Sequence, residues 1–111
     1  NIAKAVGVPE EHIRVVDPND LTETERVLKE ELASDTPSVV ICRRPCALLK
    51  YVKHNPPLVI DHDKCVGCKA CMKIGCPCIS VKDGKASIDQ TLCNGCGLCT
   101  QMCRLGAIGS R

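Results

Sequence analysis

Eight of the eleven cysteines in this 111-residue chain fall into two runs of closely related spacing. The first is Cys65, Cys68, Cys71 and Cys76 followed by Pro77, a C-x2-C-x2-C-x4-C-P pattern. The second is Cys93, Cys96, Cys99 and Cys103, a C-x2-C-x2-C-x3-C pattern. A zinc site takes four ligands in a tetrahedron, usually as pairs from two separated knuckles. Three thiolates at two-residue gaps suit an iron–sulfur cubane. A short loop wraps one face of the cubane and hands one sulfur to each of three irons, and the fourth iron takes a thiolate from elsewhere. The doubled run therefore predicts two 4Fe–4S clusters, with zinc or disulfides as the competing readings. Disulfides alone would leave one of eleven thiols over. They would also call for an export signal, and no such pattern opens the sequence. The expected setting is the reducing cytoplasm.

The glycines agree with this chemistry. Gly67, Gly95 and Gly97 stand between the ligand positions, where the backbone must come close to a cluster and turn N–H groups toward sulfur. Plain loop glycine is the simpler alternative. Residues 61–111 carry seven Lys or Arg and four Asp, formally +3 with neutral cysteines. Two oxidised clusters with their thiolates bring about −4, so the lysines offset most of the cluster charge. A solvated basic surface is the simpler reading of any single lysine. The net charge of the whole chain is only +2, with one aromatic residue, Tyr51. Nucleic-acid binding calls for a basic face and stacking platforms, and no run of about 18 apolar residues offers a membrane span.

Three cysteines lie outside the runs. Cys78 follows Pro77 at the start of a strand-like run and reads as a small buried hydrophobe more than as a ligand; it is also the obvious substitute if Cys76 is lost. Cys42 and Cys46 flank Arg43-Arg44-Pro45 at the end of an apolar strand. A buried free thiol is the simpler reading there, although open α/β sheets bind ligands at that end. His12, His54 and His62 have no partner motif and read as structural or surface residues. Glu23, Glu25, Glu30 and Glu31 read as a solvated helix face.

The elements that position these residues follow from pattern. Asn55-Pro56-Pro57 marks a connector and divides an N-terminal segment, 1–55, from a cysteine-rich domain, 56–111. In the first segment Ile13 to Val16 is strand-like and stops at Asp17-Pro18. Asn19 or Asp20 can cap a helix from about Leu21 to Ala33, with Leu21, Val27, Leu28 and Leu32 as its apolar stripe. Ser38 to Cys42 is a β-branched run suited to a strand buried on both faces of a parallel sheet. One strand–helix–strand unit cannot cover its own sheet, so this segment reads as the tail of a larger α/β domain. The second half is an internal repeat. Ile60-Asp61 precedes Cys65 as Ile88-Asp89 precedes Cys93, and the units start 28 residues apart. Val81 and Ile108 stand five positions after the fourth cysteine of each unit. Between the units, ISVKDGKASID reads as a hairpin about Asp83-Gly84. The expected fold class is α+β: a pseudo-twofold domain of two short β-ribbons and two short helices around the clusters, preceded by a βαβ fragment.

Residues 58–110 resemble a bacterial-type dicluster ferredoxin. That resemblance implies that Cys65, Cys68, Cys71 and Cys103 hold one cluster, and that Cys93, Cys96, Cys99 and Cys76 hold the other. The chain departs from the common pattern in the extra residue before Cys76 and in Cys103-Arg104 where Cys-Pro is usual. The whole chain, with VVDPNDL, the TPSVVICRRPC strand region and the cysteine runs, resembles the C-terminus of the large (alpha) subunit of indolepyruvate:ferredoxin oxidoreductases. This implies an upstream thiamine-diphosphate domain with Mg²⁺, a second (beta) subunit and external ferredoxin as electron acceptor. In that family aryl pyruvates are oxidatively decarboxylated to acyl-CoA. No diphosphate-binding motif lies in these 111 residues, so the chain alone is not expected to be catalytic. A free-standing dicluster carrier, and the same domain of a pyruvate or other 2-oxoacid enzyme, are the alternatives. A zinc-binding module would lack the cubane absorption near 400 nm.

Overall fold

The computed structural model describes residues 1–110, which form two compact units, 1–46 and 47–110. The sequence puts the change of character at Asn55-Pro56-Pro57. In the structure residues 47–57 group with the cysteine-rich unit.

The first unit opens with a short helix, α1 (Ile2–Ala5). Then come β1 (Ile13–Val16), α2 (Leu21–Leu32) and β2 (Val39–Cys42). β1 and β2 are parallel, from Ile13 opposite Val39 to Val16 opposite Cys42. α2 starts where Asp20 accepts the Glu23 N–H on its side chain at 3.1 Å, which satisfies one of the orphan donors of the first turn.

Two expectations change in this unit. The apolar stripe of α2 does not face inward as a whole: Val27 is buried, but Leu28 and Leu32 are exposed. The inward line is Val27 and Glu31, one helical turn apart. Glu31 is only 7 % exposed, so it does not belong to a solvated face. Its carboxylate is held by His12 Nδ1 at 2.8 Å and by the Arg14 guanidinium at 3.1 Å, which is the condition for burying a charge. Nor is β2 buried on both faces. Val39 and Val40 are half-buried, whereas Ile41 and Cys42 are exposed. Among the described residues β2 pairs only with β1, and a two-stranded sheet has no layer to cover its second face.

The second unit contains two antiparallel ribbons. β3 (Leu58–Ile60) pairs with β6 (Ile108–Ser110), and β4 (Ile79–Lys82) pairs with β5 (Lys85–Ile88). Asp83 and Gly84 join the second pair with φ of 50° and 75°, the positive values a two-residue primed turn requires. Each ribbon is accompanied by a short helical segment: a 3₁₀ turn at Ala70–Ile74, and α3 (Leu98–Met102). The core is Leu58, Cys71, Ile79, Ala86, Ile88, Cys99 and Ile108. Leu58 and Ala86, and Cys71 and Cys99, stand 28 residues apart, and Ile79 and Ile108 come from matching strands, so the two halves bury one shared core rather than two.

The repeat has a shifted register at one place. Ile79 pairs with Ile88, and Ile108 pairs with Ile60. Ile79 is therefore the counterpart of Ile108, and both are buried. The sequence reading matched Val81 to Ile108, but Val81 is 37 % exposed. The leg from the fourth cysteine to the strand is shorter in the first half than in the second. Counting five positions on from Cys76 therefore lands on Val81, two residues past Ile79.

Candidate metal centres

Each cysteine run is a loop wound around its own left-handed glycine. Gly67 has φ of 71°, and a β-carbon there would stand 2.1 Å from the Gly84 carbonyl oxygen. Gly95, 28 residues on, has φ of 69°, and a β-carbon would meet the Asn55 and Pro56 carbonyl oxygens, each at 2.6 Å. The hairpin turn thus presses on the first loop as the connector presses on the second. After the loops come the helical segments. They bury Cys71 in the first half and Cys99 in the second and leave Cys68 and Cys96 exposed.

The eight run cysteines gather around two cavities. The first is lined by Cys65, Cys68, Cys71 and Cys103 together with Ile60, Ala86 and Ile108. The second is lined by Cys76, Cys93, Cys96 and Cys99 together with Leu58, Ile79 and Ile88. Each cavity takes three thiols from one run and a fourth from the other. Among the described residues no three Cys, His, Asp or Glu side chains are set closely enough for a single metal ion. The sulfurs instead line walls that are otherwise largely apolar.

Electrostatics follow the same grouping. Burial pushes the Cys71 thiol up, and the charges of Cys103, Cys65 and Cys68 add to this against its own backbone amide. Burial, with the charges of Cys96, Cys93 and Cys76, likewise pushes Cys99 up to about 11. Four thiolates around one cavity would repel one another, and iron bound there would relieve that repulsion. Polar help comes from the backbone. The Ala86 and Gly67 amides, and the Lys85 charge, hold Cys65 below the ordinary thiol range. The Leu58 N–H donates to Cys93 Sγ and the Ala107 N–H to Cys103 Sγ, both at 3.4 Å. The donor set, the apolar walls and the amides aimed at sulfur fit a 4Fe–4S cubane in each cavity.

Cys78, expected as a small buried hydrophobe and as the substitute if Cys76 is lost, is half-buried and lines the second cavity. Burial raises its thiol, as do a hydrogen bond to Cys76 and the charges of Cys76, Cys93 and Asp89. Cys42 and Cys46 line neither cavity and are exposed, so the expectation of buried thiols there is corrected; β2 lacks the layer that would cover them. His12 bonds Glu31 and Thr36, while His54 and His62 are exposed.

The family model described as a 4Fe-4S binding domain matches residues 86–109. The chain is also similar, over 96 % of its length, to two proteins named indolepyruvate oxidoreductase subunit IorA. The identity is 38 % to that of Pyrococcus horikoshii and 39 % to that of Pyrococcus abyssi. It spans only 17 % of the length of these relatives. Pyruvate synthase subunit PorD of Methanothermobacter marburgensis is 41 % identical over 44 % of this chain and 58 % of that protein. These similarities agree with the expected resemblance to the C-terminal part of those relatives, and the 4Fe-4S binding match fits the small mixed α/β structure of ferredoxin-like type. No helix among the described residues is long and apolar enough to cross a membrane.

Proposed function

We propose that the chain carries two 4Fe–4S clusters and serves as the electron-transfer end of an indolepyruvate:ferredoxin oxidoreductase. Cys65, Cys68, Cys71 and Cys103 would hold one cluster, and Cys93, Cys96, Cys99 and Cys76 the other. The observation that carries this reading is the partition of the run cysteines between two cavities, each completed by a thiol of the opposite run. When bound, a cubane supplies a one-electron acceptor and donor. The protein's part is to bind it, shield it and orient it. Ile60, Ala86 and Ile108 keep water from the first site, and Leu58, Ile79 and Ile88 from the second. The Leu58 and Ala107 amides soften the charge on ligand sulfur. Cys68 and Cys96 are the ligands nearest solvent, which makes them the natural edge for exchange with a partner.

The same reading gives residues 1–55 to the end of a thiamine-diphosphate-type α/β domain and residues 56–111 to the dicluster domain. Thiamine diphosphate and Mg²⁺ would belong to the longer enzyme. A second (beta) subunit and an external ferredoxin are the proposed partners, and the cytoplasm the proposed location. The relatives named IorA support this assignment. The β1–α2–β2 arrangement, with exposed Ile41 on an otherwise apolar strand, suits a sheet continued by neighbouring chain.

Iron and acid-labile sulfide analysis of anaerobically prepared protein tests the reading. About eight of each per chain are expected for two cubanes. Stoichiometric zinc without sulfide would overturn it.

A further inference from the structure

We propose that Cys78 is a reserve ligand of the second site, able to take the iron position of Cys76. This rests on the ligand set proposed above. Five thiols line the second cavity, Cys76, Cys78, Cys93, Cys96 and Cys99, whereas four line the first. A cubane takes four thiolates, so the second site has one in surplus.

The pseudo-twofold repeat identifies the surplus thiol. The Asp61 N–H donates to the Ala107 carbonyl at 2.7 Å, and the Asp89 N–H donates to the Cys78 carbonyl at 2.8 Å. The residues that follow, Ile108 and Ile79, pair with Ile60 and Ile88. Cys78 therefore occupies the place of Ala107, a buried methyl that also lines its cavity. Alanine satisfies the packing of that wall in one half. The sulfur in the other half adds a metal donor that packing does not require.

The chain also delivers Cys78 to the right neighbour. From Cys103 to Ile108 the leg runs through Arg104, Leu105, Gly106 and Ala107. From Cys76 to Ile79 it is only Pro77 and Cys78. Cys76 to Ile79 is a tight turn closed by the Ile79 N–H, which donates to the Cys76 carbonyl at 3.2 Å, and Pro77 inside it has its φ fixed by its ring. Cys76 and Cys78 accordingly line one cavity together. If Cys76 is lost, Cys78 would hold the iron position in its place, its thiol proton passing to water. No electron changes hands.

The experiment compares Cys76→Ala, Cys78→Ala, the double variant and Cys103→Ala, all in the full chain and prepared anaerobically. Iron content and the electron paramagnetic resonance of the reduced protein are measured. Each single change at 76 or 78 should leave about eight irons, and the double about four. Cys103→Ala should also fall to about four, because the first cavity has no fifth thiol. The Cys76→Ala spectrum should shift in one cluster only, as one ligand has changed. Four irons in Cys76→Ala, or no cluster-bearing protein from it while Cys103→Ala yields some, would overturn the reserve role and leave the ligand set standing. Four irons in Cys78→Ala beside eight in Cys76→Ala would instead show that the ligand set itself is wrong. Eight irons in the double variant would remove both residues from the site.

Discussion

The α-carbon of Gly95 faces the carbonyl oxygen of Pro56 so closely that a β-carbon there would stand 2.6 Å from it. A β-carbon on Gly67 in the other half would collide with the Gly84 carbonyl oxygen in the same way. The connector and the hairpin turn are therefore equivalent parts of the repeat. Asn55, read from sequence as the last residue before a boundary, donates from its side chain to the Gly95 carbonyl at 3.4 Å.

Gly67→Ala and Gly95→Ala should both impair cluster assembly. Left-handed backbone in a residue with a side chain costs about 1–3 kcal/mol, and the blocked carbonyl adds to this because backbone cannot move aside cheaply. Absorbance near 400 nm per chain is the measurement. Wild-type cluster content in Gly95→Ala would show that the connector does not press on the second loop.

Crossing of the fourth ligands gives a separate test. Cys103→Ser should weaken or remove the cluster of Cys65, Cys68 and Cys71 and leave the other intact, because Cys103 lines the first cavity. Spectroscopic assignment of the surviving cluster decides the matter. Survival of the first cluster and loss of the second would reverse the pairing.

The register at β4 separates two neighbouring apolar residues. Ile79 is 7 % exposed and Val81 is 37 % exposed. Ile79→Ala should destabilise the cysteine-rich unit by about 2–5 kcal/mol, the range for a buried large-to-small change. Val81→Ala should cost less than about 1 kcal/mol. Comparable shifts in denaturation midpoint for the two variants would contradict the observed pairing of Ile79 with Ile88.

The buried carboxylate of Glu31 should make the first unit acid-sensitive. The His12 hydrogen bond lowers its pKa from 4.5, burial opposes this, and the Arg14 hydrogen bond assists. A depressed carboxylate contributes stability that is present above its unfolded value and lost as pH falls through its folded value. Amide exchange in α2 should thus be slow from neutral pH down to about 5 and speed up progressively below about 4.5. Glu31→Gln should flatten that dependence. An unchanged acid profile in Glu31→Gln would mean that the charge is not what holds the helix.

Asp20→Ala should loosen the first turn of α2 by about 1 kcal/mol, the usual worth of an N-cap side chain. The effect should appear as faster exchange at the Glu23 amide, whose donor it satisfies. Protection unchanged at Glu23 would show that another group caps the helix.

The sequence by itself determined the metal chemistry, because ligand type and short-range spacing are covalent properties of the chain. Two-residue gaps between thiols oblige a tight loop, and Gly67 and Gly95 declare where it must turn left-handed. It also determined the hairpin at Asp83-Gly84, the strand at Ile13–Val16 and the start of α2, all signals contained within a few residues. Only the tertiary structure decided what depends on meeting across the repeat. The gathering of Cys103 with the first run and Cys76 with the second requires the two loops to be brought face to face by β3–β6 and β4–β5. The place of Cys78 depends on a strand register that local counting from Cys76 misjudges by two residues. Glu31 looked like one more surface charge on α2, since nothing in its neighbours along the chain announces His12 and Arg14. Their approach is set by how α2 lies on β1, and a charge is buried only where its partners arrive from elsewhere in the fold.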